Sequence, residues 1–224
     1  MGCHFITTGS LNQAKELNVF DTITVKDIDD FKPKVIYDAL LKLSYDEILV
    51  YCDAGIHINP GGRDRFLEYK LMLDTKPICA FSTTSMYKCK YYVKADAVMS
   101  YFPEFKSMDL DYFYAGCILL KKTDQTVQFV EEWLKLCENS HFIDGSPSYN
   151  FKESPYFHGQ DADNGLYALC LCKHINLVHR IDPNEINLYD NNGVQVGHYN
   201  PSLIDWSPLD KFPFQYRRLN RTGA

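Results

Sequence analysis

A chain of 224 residues, 46% hydrophobic and 14% aromatic, has enough apolar material for one sizeable core or two small ones, and too much to stay unfolded. Its formal charge of −6 and pI near 5.6 speak against nucleic acid as a partner. Phosphate contacts need a concentrated basic face, and only the end around Arg217, Arg218 and Arg221 is locally basic.

No apolar run approaches the roughly 18 to 20 residues of a membrane span. Met1-Gly2-Cys3-His4 lacks the basic and apolar regions of a signal peptide, and Ile6 stands where an acylation motif needs serine or threonine. Several of the eight cysteines lie inside apolar runs, where a free thiol behaves as a small hydrophobe. Cys170-Leu171-Cys172 has no second pair at zinc spacing. Reduced thiols and a cytoplasmic location follow as expectations, in the host's cytoplasm if the chain is viral.

In chain order, His4 to Thr8 reads as a first strand with a Thr8-Gly9-Ser10 turn after it, and Val19 to Val25 as a second short strand. Pro33 opens a helix whose apolar residues Val35, Ile36, Ala39, Leu40 and Leu43 recur at helical spacing. Ile48-Leu49-Val50-Tyr51-Cys52 reads as a strand buried on both faces, as in a parallel sheet, and it stops at Asp53-Ala54-Gly55. An acid at a strand's carboxyl end lies where ligands bind in open α/β sheets, although a loop aspartate capping the next segment reads the same way.

Asn59-Pro60-Gly61-Gly62 breaks the chain before a helix from Asp64 to about Leu73, with Arg63 and Arg65 at its start. Ile78 to Phe81 reads as a strand and Asp96 to Phe102 as a short helix. Tyr112 to Leu120 is the second strong strand, with Gly116 marking a close approach by backbone or ligand. Thr123 caps a helix whose apolar face is Val127, Val130, Leu134 and Cys137.

The turn-rich stretch from His141 to Phe157 is long enough to be a functional loop or lid. Gly159-Gln160-Asp161-Ala162-Asp163-Asn164-Gly165 leads into a helix, Ile175 to Ile181 is a strand, and Gly197-His198-Tyr199-Asn200-Pro201 a polar loop. The chain divides as one domain over residues 1–206 and an extended tail over 207–224, where Pro208 and Pro213 interrupt.

Three polar clusters therefore interrupt the apolar scaffold: Asp53 with its neighbours, Gln160 to Asn164, and His198. Tyr51-Cys52-Asp53-Ala54-Gly55 resembles the strand and metal-binding D-x-D turn of GT-A glycosyltransferases, in particular glycogenin and the lipopolysaccharide galactosyltransferases. Tyr114-Ala115-Gly116-Cys117-Ile118-Leu119-Leu120 resembles that family's N-[AS]-G-V-L-L strand, and Gln160 to Leu166 its D-Q-D-x-L-N-G-L helix start. Gly197-His198 with Trp206 is similar to its late histidine motif. The Lys-Pro-Lys helix start, the D-A-G turn and the compact length also resemble sugar transferases of bacterial polysaccharide loci and of large DNA viruses of algae.

The resemblance implies a GT-A, Rossmann-like α/β fold with a mixed, mainly parallel sheet flanked by helices. It implies transfer of a sugar from a nucleotide-sugar, most simply a uridine diphosphate (UDP) sugar, to a glycan or other hydroxyl acceptor. Mn²⁺ or Mg²⁺ would be held by Asp53 and His198, with Lys32 or Lys34 at the phosphates. Thr7 and Thr8 would contact the base, Ala54, Gly55, Tyr114 and Asp163 the donor, and Gln160 and Asp161 the reacting sugar. Two positions depart from the family: Gly55 replaces the second acid of D-x-D, and Gly159 the first of D-Q-D. A carbohydrate- or nucleotide-sugar-binding protein with a degenerate, inactive site is the alternative that these departures leave open.

Overall fold

A computed structural model of the chain describes residues 2–7, 11–26, 31–104, 109–196 and 204–217. Its first half runs β1 (Cys3–Thr7), α1 (Leu11–Leu17), β2 (Thr22–Val25), α2 (Lys32–Lys42), β3 (Ile48–Cys52), β4 (Ile56–Ile58), α3 (Arg63–Met72) and β5 (Ile78–Ser82). It continues with α4 (Cys89–Tyr92), α5 (Ala95–Tyr101), β6 (Phe113–Lys121), α6 (Asp124–Glu138), α7 (Ser140–Ile143), α8 (Ala162–Lys173), β7 (Val178–Ile181) and β8 (Phe214–Tyr216).

Six strands form one sheet in the order β2-β1-β3-β6-β5-β7. Only β6 runs against the others, pairing antiparallel with both β3 and β5, so the sheet is mixed and mainly parallel. This is the α/β class expected. The alternation of β3 assigns the two faces: Leu49 and Tyr51 join the core beneath α2, α6 and α8, while Ile48, Val50 and Cys52 join the core shared with α1 and α3. Burial on both faces explains why the strand is a continuous apolar run.

On β6 that alternation breaks. Phe113 and Ala115 belong to the α6–α8 side, yet so do Ile118 and Leu120, which strict alternation forbids. The β5–β6 register shifts in the same place, between the pairs Ala80–Ile118 and Ser82–Phe113. An irregularity centred on Ala115 and Gly116 therefore re-aims the amino end of β6, a device that recurs beside binding sites.

Helix boundaries follow local chemistry. Thr123 accepts from the Thr126 N–H at 3.1 Å while the Thr126 hydroxyl accepts from the Thr123 N–H, closing a capping box on α6. Pro33 occupies the first turn of α2, where its missing N–H has no intrahelical partner. All eight cysteines are free thiols, and no helix among the described residues is long and apolar enough to cross a membrane.

Two expectations change. Residues 207–217 do not run as an extended tail: β8 pairs antiparallel with β4, and Phe214 is fully buried against Phe66, Tyr69 and Phe81. The loop after His141 is tied down by Asp96, which accepts backbone N–H groups of Tyr149, Asn150 and Phe151 at 2.7–3.0 Å and the His141 ring at 2.9 Å. Four partners on one buried carboxylate make that loop part of the scaffold.

Candidate active site

The carboxyl ends of β1, β3 and β5 and the amino end of β6 share one edge of the sheet, because β6 is reversed. The start of α8 packs over that edge. Between them lies a cleft of about 510 Å³ whose charged lining residues are Lys32, Asp53, Asp161 and Asp163, set among tyrosines 87, 92, 112, 114 and 216.

Asp53 follows β3 directly. Its N–H donates to Gly116 O at 2.9 Å, continuing the β3–β6 pairing one step past the strand, and its own carbonyl accepts from Ile56 N–H to close the Asp53-Ala54-Gly55 turn. The Tyr51 hydroxyl donates to Asp53 Oδ1 at 2.7 Å, and the Lys32 ammonium stands 3.3 Å from Oδ2. The close approach expected at Gly116 is made by this carboxylate: a β-carbon there would stand 3.2 Å from Asp53 Oδ2.

Lys32 opens α2 and lies 3.3 Å from Oδ2 of Asp163 as well, so two acids from distant parts of the sequence share one ammonium. Burial disfavours its charge, but Asp53 and Asp163 outweigh that and hold its pKa above the ordinary lysine value. Burial and the neighbouring Asp53 push the Tyr51 phenol well up, so it serves there as a hydrogen-bond donor.

Asp161 precedes α8 without capping it by its side chain. Its Oδ2 accepts from the Tyr112 hydroxyl at 2.5 Å and from Asn164 Nδ2 at 3.0 Å, while Asn164 Oδ1 accepts from the Ala115 N–H at 2.6 Å. This chain of bonds locks the α8 start onto the irregular part of β6. Gln160 does related work outside the cleft lining, accepting from the Lys94 N–H at 2.9 Å and donating to Ala162 O. Gly159 has φ +144°, a conformation that side-chain-bearing residues rarely adopt, which accounts for glycine where the D-Q-D resemblance expects an acid.

The structure thus gathers Lys32, Asp53, Tyr114, Asp161 and Asp163 in one cleft. Tyr114 stacks on Tyr216 and shares its hydroxyl with Tyr189 and Gln195. Thr7 is buried at the end of β1 beside Cys52, and Ala54 and Gly55 form the turn after Asp53. Lys34 lies apart, an exposed residue paired with Asp38 one turn along α2. Arg65 holds Glu185 with two nitrogens at 2.6 and 2.7 Å and serves the scaffold. Thr8 and His198 lie outside the described residues.

Neither Tyr112 nor Tyr216 stands out in the sequence as a site residue, whereas Asn164 closes the Gln160–Asn164 polar cluster. Tyr112 carries only the signal of a hydroxyl two residues before the Tyr114-Ala115-Gly116 segment; Tyr216 carries none, since its place depends on β4–β8 pairing.

The donor set suits a hard divalent cation in part. Among the described residues no three acidic, histidine or cysteine side chains converge as a self-sufficient metal site. Two carboxylate oxygens do converge on a position that a cation, the Lys32 ammonium, occupies. Mg²⁺ in nucleotide sites characteristically takes one or two carboxylates and completes its shell with phosphate oxygens and water.

No protein-family model and no curated protein matches the chain. Among solved structures it is similar to a glycosyltransferase involved in the glycosylation of the major capsid of PBCV-1, at 10% identity and a TM-score of 0.49 over 100% of this chain and 96% of that one. It is also similar to the apo form of mouse xyloside xylosyltransferase 1, at 11% identity and a TM-score of 0.44 over 97% of this chain and 84% of that one. A third similar structure is 4-diphosphocytidyl-2C-methyl-D-erythritol synthase from Anaerococcus prevotii, at 11% identity and a TM-score of 0.42 over 87% and 91%.

Proposed function

We propose that this protein is a nucleotide-sugar-dependent glycosyltransferase, moving a hexosyl or pentosyl group from a UDP-sugar to a hydroxyl of a glycan or similar acceptor. The observation that carries the reading is the convergence of Asp53, Lys32, Asp161 and Asp163 in one cleft at the sheet edge. Asp53, Asp161 and Asp163 come from the segments whose motifs resemble the family's.

Glycosyl transfer breaks the bond from the anomeric carbon to the diphosphate and forms one to the acceptor oxygen, which gives up its proton. The transition state holds positive charge on the sugar ring and growing negative charge on the leaving diphosphate. We assign Asp161 to the sugar, because Tyr112 and Asn164 fix its carboxylate. The diphosphate belongs at the Lys32 end. Among the described residues three carboxylates stand against one ammonium in the cleft, so a diphosphate that gains negative charge as it leaves needs a further cation beside it. Mn²⁺ or Mg²⁺ held by Asp53 would supply that charge neutralisation.

The test is a screen of nucleotide-sugars for release of nucleoside diphosphate, with Asp161→Ala as control. Release by the parent and its loss in Asp161→Ala supports the reading. A folded parent that neither releases diphosphate nor gains thermal stability from millimolar UDP-sugar with Mn²⁺ would sink it, since a ligand bound only to the native state must raise the apparent melting temperature.

A further inference from the structure

The resemblance leaves the cation with one acid, because Gly55 stands where the second belongs. The structure brings an acid to the same place from elsewhere in the chain. Asp163, in the first turn of α8, directs Oδ2 to within 3.3 Å of the Lys32 ammonium, the same separation as that of Asp53 Oδ2 from it. We infer that Asp163 supplies the second carboxylate of the donor's divalent-cation site, and that the Lys32 ammonium is an exchangeable counter-ion holding that site in the donor-free protein. This inference rests on the glycosyltransferase reading above.

Three observations carry it. Asp163 Oδ2 is buried and, among the described residues, meets no donor other than the Lys32 ammonium 3.3 Å away, so that cation alone stands against it. A buried carboxylate oxygen in that condition is costly unless a cation stands against it. Secondly, an ammonium shared between two carboxylates has little charge to spare for a diphosphate. Lys32 cannot neutralise the leaving group while it neutralises Asp53 and Asp163 together, whereas a divalent cation in its place can do both. Thirdly, the space is kept for an exchange. Gly116 leaves Asp53 Oδ2 uncrowded on its strand side, and Lys32 is a flexible four-carbon stem at the start of a helix, able to withdraw without unfolding α2.

The signs of the substitutions separate this arrangement from its rivals. Titration calorimetry with MnCl₂, alone and with UDP, should show Asp53→Asn and Asp163→Asn each weakening Mn²⁺ binding by about tenfold or more. Lys32→Gln should do the opposite, tightening Mn²⁺ roughly tenfold in the absence of UDP because its competitor is gone. Lys32→Arg, which keeps the charge, should return the affinity to that of the parent. Circular dichroism melts establish that each variant is folded, and the asparagine and glutamine exchanges preserve shape.

An Asp163→Asn protein with parental Mn²⁺ affinity would overturn the inference, as would a Lys32→Gln protein that binds Mn²⁺ no better than the parent. UDP binding that survives EDTA and disappears in Lys32→Gln would also overturn it, making Lys32 itself the phosphate's cation while leaving the glycosyltransferase reading intact. Absence of UDP binding with and without Mn²⁺ would remove that reading, and this inference with it.

Discussion

A β-carbon on Gly116 would stand 3.2 Å from Oδ2 of Asp53, closer than most side-chain contacts allow. The glycine lies where β6 departs from regular pairing, and its carbonyl accepts the Asp53 N–H. Its missing side chain is therefore a condition for the position of the acid. Gly116→Ala should displace the Asp53 carboxylate by a few tenths of an ångström and weaken donor use, with KM for the nucleotide-sugar rising about tenfold. The change in stability should stay within roughly 1 kcal/mol, because the neighbouring atoms are side-chain ends that can yield. Donor kinetics and a melting curve on the same preparation check both halves. Unchanged kinetics would mean that Asp53 is not at the donor.

Tyr112 and Asp161 make a second testable pair. The Tyr112 hydroxyl donates to Asp161 and accepts from Asn164, and burial next to the Asp161 charge raises its pKa well above the ordinary tyrosine value. The phenol is thus a neutral donor at any physiological pH. Tyr112→Phe should leave the fold in place at a cost of about 1 kcal/mol and lower kcat by roughly 10- to 100-fold, since Asp161 loses one of two groups that fix it. KM for the donor should change little. A parental kcat would show that Asp161 is held by Asn164 alone or takes no part in the chemistry.

What was legible in the sequence was what local rules decide. The β3 run is apolar on both faces because both faces are covered, and Thr123 announces α6 because its side chain caps three residues on. Pairing across the chain left no such mark. β8 is three residues long, too short for a period to show, and Pro208 and Pro213 beside it look like breakers. Its place depends on β4, another three-residue strand. The meeting of Lys32 with Asp163 is likewise a product of tertiary packing, and Lys32 and Lys34, equivalent on paper as a helix start, point one into the cleft and one to solvent. Tyr112 stands in an apolar strand, where an aromatic residue is usually core, and its ring is indeed buried. Only its hydroxyl reaches the cleft acid.

The β4–β8 pairing makes residues 207–217 part of the folded unit. Phe214 is fully buried, with ring centroids 6.0 to 6.5 Å from those of Phe66, Tyr69 and Phe81, and Tyr216 two residues later lines the cleft. Phe214→Ala should cost about 3–5 kcal/mol of unfolding free energy through the cavity it leaves. Truncation after Trp206 should be at least as damaging, and should also remove the ring on which Tyr114 stacks. Denaturant unfolding of the point variant is the cleaner measurement. A loss below about 1 kcal/mol would mean that the segment packs more loosely than its burial implies.

Outside the cleft lining, Glu132 on α6 ties three elements together. Burial opposes its charge, but the Tyr101 hydroxyl, His174 Nε2 at 3.0 Å and Gln128 Nε2 at 2.8 Å all favour it, and Lys173 stands 3.5 Å away, so its pKa falls to about 2 from an ordinary value of 4.5. A carboxyl group whose pKa is lower in the folded than in the unfolded chain stabilises the fold fully above the unfolded value. That contribution disappears as pH falls through the folded one. Stability should therefore decline between about pH 4.5 and pH 2 in part because of Glu132. Glu132→Gln should lower stability at neutral pH by roughly 1–3 kcal/mol, the worth of hydrogen bonds to a charged group. It should also flatten the acid limb over that window, so that the stability curves of variant and parent converge towards pH 2. Urea midpoints measured from pH 7 down to the acid transition test this, and parallel curves with a constant offset would place the pH dependence on other carboxylates.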